Sequence, residues 1–142
     1  MGIRIASYIE HTVLKSDTTI EDIKNLCEEA KTYGFAGVCV PPPFIRNVKK
    51  LLQDTPISAV TVIGFPFGYS FSKAKIFENA QAIEDGADEI DMVINIAALK
   101  NGQWQYLEAE VKHILEATQK HGKVLKLIIE SGILTDEEII RC

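Results

Sequence analysis

Cysteine is scarce in this chain: three in 142 residues, at Cys27, Cys39 and Cys142. An odd count at these spacings suits neither a disulfide framework nor a zinc site, and a reducing, cytoplasmic setting is the expectation. No apolar run approaches the ~20 residues of a membrane-spanning helix. The opening stretch, Met1 to Ser7, has no apolar core of the kind a signal peptide carries. Neither G-x-G-x-x-G nor G-x-x-x-x-G-K-[ST] occurs, so the usual phosphate-cradling loops are missing. His11, His113 and His121 lack metal-ligand spacing, and no serine or cysteine sits in a nucleophile elbow. Neither a metal nor a cofactor is expected. Cations are in the minority, 15 against 20 anionic side chains, a net charge of −5. That balance argues against nucleic acid or an anionic membrane as partner. With no linker, low-complexity tract or charge block, residues 1–142 are expected to belong to one domain.

What is present is an alternation. At 46% hydrophobic and 25% charged, the composition is that of a globular domain able to bury a core. Ile20, Ile23, Leu26, Cys27 and Ala30 recur with helical period. Thr18 is the expected N-cap, Glu21 completes a capping box, and Gly34 is the stop. A strand is expected over Phe35 to Val40, closed by Pro41-Pro42-Pro43, then a helix over Phe44 to Leu52. Ser58 to Ile63 reads as the second strand, Lys73 to Glu84 as the third helix, and Glu89 to Ile94 as the third strand. Trp104 to Lys120 carries Leu107, Val111, Ile114 and Leu115 along one helical side. Val124 to Glu130 is the fourth strand, and Thr135-Asp136-Glu137-Glu138 opens a further helix. Strands alternating with helices, without hairpin signals, predict a parallel α/β fold. An eight-stranded barrel takes about 250 residues. Four strands are about half of one, and the expectation is an (β/α)8 barrel of which about the first four strand–helix units are present, the N-terminal part of one barrel domain.

One strand breaks its own pattern. Asp91 sits among Ile90, Met92, Val93 and Ile94. Ionised carboxylates are rarely buried without a partner, because leaving water costs several kcal/mol. Alternation puts Asp91, Val93 and Asn95 on one side of the strand. Lys126 interrupts the next apolar strand in the same way and shares parity with Glu130. A lysine beside an aspartate on the adjacent strand forms an ion pair and tunes proton transfer, although ion pairs that only fill a barrel exist too. Cys39, near the end of its strand, is either a small core side chain or a thiol lining the cavity. His11 is expected to be a surface or core residue rather than a catalyst. Gly64-Phe65-Pro66-Phe67-Gly68 reads as a loop over a ligand or as ordinary punctuation after a strand.

Five stretches together resemble one family. Tyr8-Ile-Glu-His-Thr-Val-Leu-Lys15, Gly34-Phe-Ala-Gly-Val-Cys-Val-Pro41, Thr61-Val-Ile-Gly-Phe-Pro66, Gly86-Ala-Asp-Glu-Ile-Asp-Met-Val-Ile-Asn95 and Leu125-Lys-Leu-Ile-Ile-Glu130 resemble the deoxyribose-phosphate aldolases, in order over essentially the whole chain. The resemblance implies a metal-independent class I aldolase. Such enzymes reversibly cleave 2-deoxy-D-ribose 5-phosphate to acetaldehyde and D-glyceraldehyde 3-phosphate through a lysine Schiff base. It implies a small phosphorylated sugar as partner, and a homo-oligomer is expected. The family's proton-transferring aspartate matches Asp91, and Lys126 is the second expected catalytic residue. Glu10, Thr12, Cys39 and Asn95 are the expected substrate-binding residues. Two departures stand out: Glu10 replaces an aspartate, and Pro41-Pro42-Pro43 replaces a loop that reads Asn-Pro or Tyr-Pro. The Val-Lys-Thr-Ser-Thr-Gly-like motif of the imine lysine is not in this chain, so that lysine is expected to lie outside it. The alternatives are a non-catalytic half-barrel acting as a binding or associating module, and a flavodoxin-type phosphate-binding domain. Pro41-Pro42-Pro43 disfavours the latter, because prolines offer no N–H groups to an anion.

Overall fold

Alternation of strand and helix holds throughout, with one strand more than the sequence pattern displays. The computed structural model describes residues 5–142; the reading of the first residues as something other than a signal peptide falls in part on residues 1–4, outside that range. Five strands, β1 (Glu10–Thr12), β2 (Gly37–Val40), β3 (Ser58–Ile63), β4 (Glu89–Val93) and β5 (Val124–Ile128), form one sheet in the order β1-β2-β3-β4-β5. Every neighbouring pair is parallel. The helices are α1 (Ile20–Tyr33), α2 (Ile45–Leu51), α3 (Ser72–Glu84), α4 (Ile96–Lys100), α5 (Trp104–Lys120) and α6 (Asp136–Arg141). This is a partial (β/α) barrel with four strand–helix units complete, then β5 and the start of its helix.

The strand missed by the sequence pattern is β1. Three residues with Glu and Thr among them show no apolar alternation, and only the pairing of Glu10 with Gly37 and Thr12 with Cys39 makes them a strand. The α1 cap is displaced by one residue. Thr19, not Thr18, accepts from the Asp22 N–H, while the Thr19 N–H donates to the Asp22 carboxylate at 2.8 Å. Thr18 is diverted because its hydroxyl donates to the Lys15 carbonyl at 2.7 Å. Both registers place an acid three residues after a threonine, so the pattern alone does not separate them. Gly34 ends α1 at φ +71°, as its position predicts. β5 stops at Ile128 rather than Glu130, because Glu130 turns to φ +55°. Glu130 therefore does not extend the face that holds Lys126. β4 likewise ends at Val93, and Asn95 leaves the strand to cap the unpredicted α4.

The two sheet faces have different chemistry. Ile90 and Met92 are fully buried in the main core with Ile23, Val38, Val48 and Ile114, beneath the helices. Cys39, Val60 and Val62 pack with Leu14 and Ile128 on the opposite, barrel-facing side. The β3–α3 loop is pinned to the end of β4 at Gly68, whose φ is +72° and where a Cβ would lie 1.8 Å from the Ile94 carbonyl oxygen. Gly68→Ala is expected to cost about 1–2 kcal/mol for the left-handed backbone, with a further 1–3 for the collision. Chemical denaturation checks it; stability within 0.5 kcal/mol of wild type would mean that the loop moves freely off β4.

Candidate active site

Parity along β4 and β5 builds the site. Asp91 is registered with Val62 on one side and Lys126 on the other, and all three face the barrel interior. Glu89 lies two residues before Asp91 and shares its face. Glu10 reaches the same place from β1, at the opposite edge of the sheet. Strand curvature lets these edge strands meet through side chains: Lys126 Nζ donates to the Glu10 carboxylate across 116 positions of sequence. The ammonium also lies 3.1 Å from Asp91 Oδ1 and 3.3 Å from Glu89 Oε2. Three carboxylates from two strands thus surround one cation.

The fit around Asp91 is incomplete. Its Oδ1 is buried, with the Lys126 ammonium 3.1 Å away and off the ideal hydrogen-bond direction. Burial raises the Asp91 pKa above the ordinary carboxylate value, the attraction of Lys126 offsetting this in part. Burial raises Glu10 too, against the hydrogen bond from Lys126. For Lys126 burial acts to lower the pKa, but the hydrogen bonds to Glu10 and Asp91 and the charges of both carboxylates outweigh it and raise the value. Lys126 is a firmly protonated ammonium, while burial makes Asp91 a weaker acid than an exposed aspartate. Such an arrangement can pass a proton to or from a bound molecule.

Of the other expected residues, Cys39 lies inside at 3% exposure, in the Val60–Val62 cluster. Burial pushes its thiol up to about 12, so it is an uncharged packing group at neutral pH. Thr12 is exposed, and its hydroxyl donates to the Glu10 carbonyl at 3.0 Å. Asn95 caps α4: its Oδ1 accepts from the Ala98 N–H at 3.0 Å, and its amide NH2 remains to donate to a ligand. His11 turns to the helix side, with Nε2 2.6 Å from Glu29 and its ring stacked on Phe35. Among the described residues no cluster of His, Cys, Asp and Glu is arranged to hold a metal ion. Two residues went unnoticed in the sequence. Glu89 carried a signal, an acid at the same parity as Asp91. Asp88 did not: it staples the other end of the barrel, accepting from the Ala59 N–H at 3.0 Å and from Lys49 and Lys123. Contacts at the N-terminal strand ends serve stability in this architecture.

Comparison with known proteins gives the family and the fold. The family model for the DeoC/LacD family aldolases matches residues 4–140. A deoxyribose-phosphate aldolase of Caldicellulosiruptor saccharolyticus is 49% identical over 137 residues, covering 96% of this chain and 62% of that protein. The chain thus spans less than two thirds of that relative's length. Among solved structures, "QR15, an Aldolase" superposes with a TM-score of 0.91 at 29% identity, over 99% of this chain and 62% of the other. The tetrameric deoxyribose phosphate aldolase of Aeropyrum pernix gives a TM-score of 0.86 at 29% identity, over 95% and 56% of the two chains.

Proposed function

This chain belongs to the DeoC/LacD family of aldolases, and from that premise we propose that residues 1–142 are the N-terminal part of a single barrel domain that cleaves 2-deoxy-D-ribose 5-phosphate reversibly through a lysine imine. The products are acetaldehyde and D-glyceraldehyde 3-phosphate. Asp91 relays protons at the carbinolamine and enamine steps, and Lys126 holds it in place electrostatically. Glu10, Thr12, Cys39 and the free amide of Asn95 line the substrate's path. The observation that carries this reading is the buried Oδ1 of Asp91 on the barrel-facing side, 3.1 Å from the Lys126 ammonium.

Lys126 is not the nucleophile in this scheme. An imine-forming lysine must shed its proton, which desolvation or a neighbouring cation promotes. Lys126 has three carboxylate neighbours and a raised pKa instead. The nucleophile then stands on a strand beyond β5. The test joins this chain to the C-terminal segment of the Caldicellulosiruptor saccharolyticus relative. The joined enzyme is expected to release acetaldehyde from 2-deoxy-D-ribose 5-phosphate. Borohydride reduction with acetaldehyde should fix the adduct on a lysine outside residues 1–142. An adduct on Lys126 would overturn the assignment.

We also infer self-association and a cytoplasmic location. Among the described residues β1 and β5 each pair on one side only, and β5 exposes Val124 and Leu127. Unpaired strand edges recruit further chains. No described helix is long and apolar enough to cross a membrane, and Cys27, Cys39 and Cys142 are free thiols. The 142-residue polypeptide should sediment as a dimer or larger species at micromolar concentration, without aldol-cleavage activity of its own. A stable monomer in the ultracentrifuge would contradict the edge argument.

A further inference from the structure

We propose that Lys75 is a positioning residue of this site: from behind the sheet its ammonium, held by Glu110, fixes the β3–α3 loop and the β4–α4 junction against each other, and so sets two of the walls past which substrate reaches Asp91. The inference rests on the aldolase reading for its meaning in turnover; the fixation itself does not.

The backbone points to the lysine. The β3–β4 ladder ends at the pair Ile63–Met92, one residue short of Val93. Beyond it Gly64 turns to φ +62°, and its N–H donates to the Glu78 carboxylate at 2.8 Å. Val93 is fully buried, and a buried carbonyl left without a donor costs about 1–3 kcal/mol. Lys75 Nζ is the donor, at 2.9 Å.

The same side chain carries the loop. A Cβ on Gly64 would stand 2.7 Å from Lys75 Cε and 3.2 Å from its Cδ, so the first turn of the loop lies directly on the lysine stem. Gly68 closes that turn, its N–H donating to the Gly64 carbonyl at 2.8 Å, and it rests on the Ile94 carbonyl. Loop and strand end therefore meet twice, at Lys75 and at Gly68. Both lead to the site. Phe65 stands between the two glycines, beside Leu14, Pro41 and Val62 in a cleft of about 280 Å³, and Val62 is registered with Asp91. On β4, Val93 and Ile94 lead into Asn95, whose amide NH2 remains to donate to a ligand.

A buried ion pair is a poor source of stability beside apolar side chains of the same volume, because desolvation offsets the attraction. What it supplies here is a donor of fixed direction. Glu110 Oε2 and the Val93 carbonyl hold Nζ at 2.9 Å each, and Lys75 and Glu110 are both buried away from competing water.

Lys75→Met/Glu110→Gln removes the donor without stranding a charge. In the 142-residue chain, hydrogen exchange read by NMR should show the Gly68 and Ala98 amides about tenfold faster relative to the Val60 and Ile90 amides of the sheet, the effect of one lost hydrogen bond. A purely structural role would speed all four together. In the joined enzyme the same variant should raise KM for 2-deoxy-D-ribose 5-phosphate ~5-fold with kcat nearly unchanged, since the ladder and Lys126 still hold Asp91. Asp88→Asn, which loosens the opposite end of the barrel, should leave that KM unchanged. Gly68 and Ala98 exchange in the wild-type ratio to the sheet overturns the proposal. So does a change confined to kcat, or a KM that rises equally in Asp88→Asn. If the double variant lacks a dispersed amide spectrum, Gly64→Ala decides: it presses a methyl onto Lys75 Cε with the ion pair in place, and a wild-type exchange ratio there overturns the proposal as well. An inactive joined enzyme with its own Lys75 would count against the aldolase reading alone, and the exchange ratio would still judge the clamp.

Discussion

Asp91→Asn is expected to leave the fold of the barrel unchanged while lowering turnover at least ~100-fold in an enzyme that extends as far as its curated relatives, the low end of what general acid–base catalysis contributes. Asparagine has the shape of aspartate, so the packing beside Val62 and Lys126 survives. What it lacks is a titratable proton. The buried Oδ1 is a position where an amide oxygen is also tolerated, and loss of the negative charge leaves Lys126 still compensated by Glu10 and Glu89. Stability should therefore move by less than ~1 kcal/mol, within the range of most substitutions that create neither cavity nor unpaired charge. Steady-state kinetics with 2-deoxy-D-ribose 5-phosphate, with a urea melt alongside, separates the two effects. Turnover within tenfold of wild type would remove Asp91 from the proton pathway.

The second large effect is on stability and lies behind the sheet. Lys75 on α3 is fully buried, with Nζ 2.9 Å from Glu110 Oε2 on α5 and donating at 2.9 Å to the Val93 carbonyl at the end of β4. Glu110 is itself buried, and its other oxygen accepts from the Ser72 hydroxyl at 2.8 Å and from Tyr106 at 3.2 Å. The aliphatic stem of Lys75 fills the space beside Gly64, where an added Cβ would meet its Cε at 2.7 Å. Lys75→Met keeps most of that volume but strands the Glu110 carboxylate inside the protein. Removing one partner of a buried pair costs about 3–5 kcal/mol, a large share of a domain's total stability of about 5–15. The double variant Lys75→Met/Glu110→Gln removes the charge imbalance, leaving chiefly the unmet Val93 carbonyl, at about 1–3 kcal/mol. It should be the more stable of the two. Urea midpoints at constant m-value decide the matter; a single variant within 1 kcal/mol of wild type would show that water reaches Glu110.

This pair ties the end of β4 to two helices, two residues from Asp91. Val93 is the interior neighbour of Asp91 on the same strand face, and its carbonyl is fixed by Lys75. The site's geometry is thus supported from outside the barrel by a cation, and from inside by Lys126. One lysine is completely buried and the other is surrounded by acids.

Much of this was legible along the chain. Trp104–Lys120 has the predicted bounds because a long amphipathic helix is specified by its own periodicity. Gly34 ends α1 because a left-handed residue is needed there and glycine adopts that conformation without strain. Asp91 and Lys126 stood out because each interrupts an apolar strand, and adjacent strands in register bring them together. These are properties of neighbouring residues, and a sequence contains them directly.

The remainder depended on which elements pack together. β1 exists only because Gly37–Cys39 offers it a ladder of backbone hydrogen bonds, and three polar-flanked residues do not announce that. Asn95 matched the parity of Asp91, yet the start of α4 takes its oxygen as a cap, because free N–H groups at a helix N-terminus need acceptors. Glu10 meets Lys126 only through curvature of the whole sheet. Lys75 and Glu110 read as ordinary charged positions on helix surfaces, since periodicity says which side of a helix is apolar but not which element covers it. Composition and periodicity determined the α/β alternation and the presence of a half-buried acid in β4. Tertiary packing decided which charges that acid faces, because partner distance and burial are set by strand curvature and helix docking rather than by spacing along the chain.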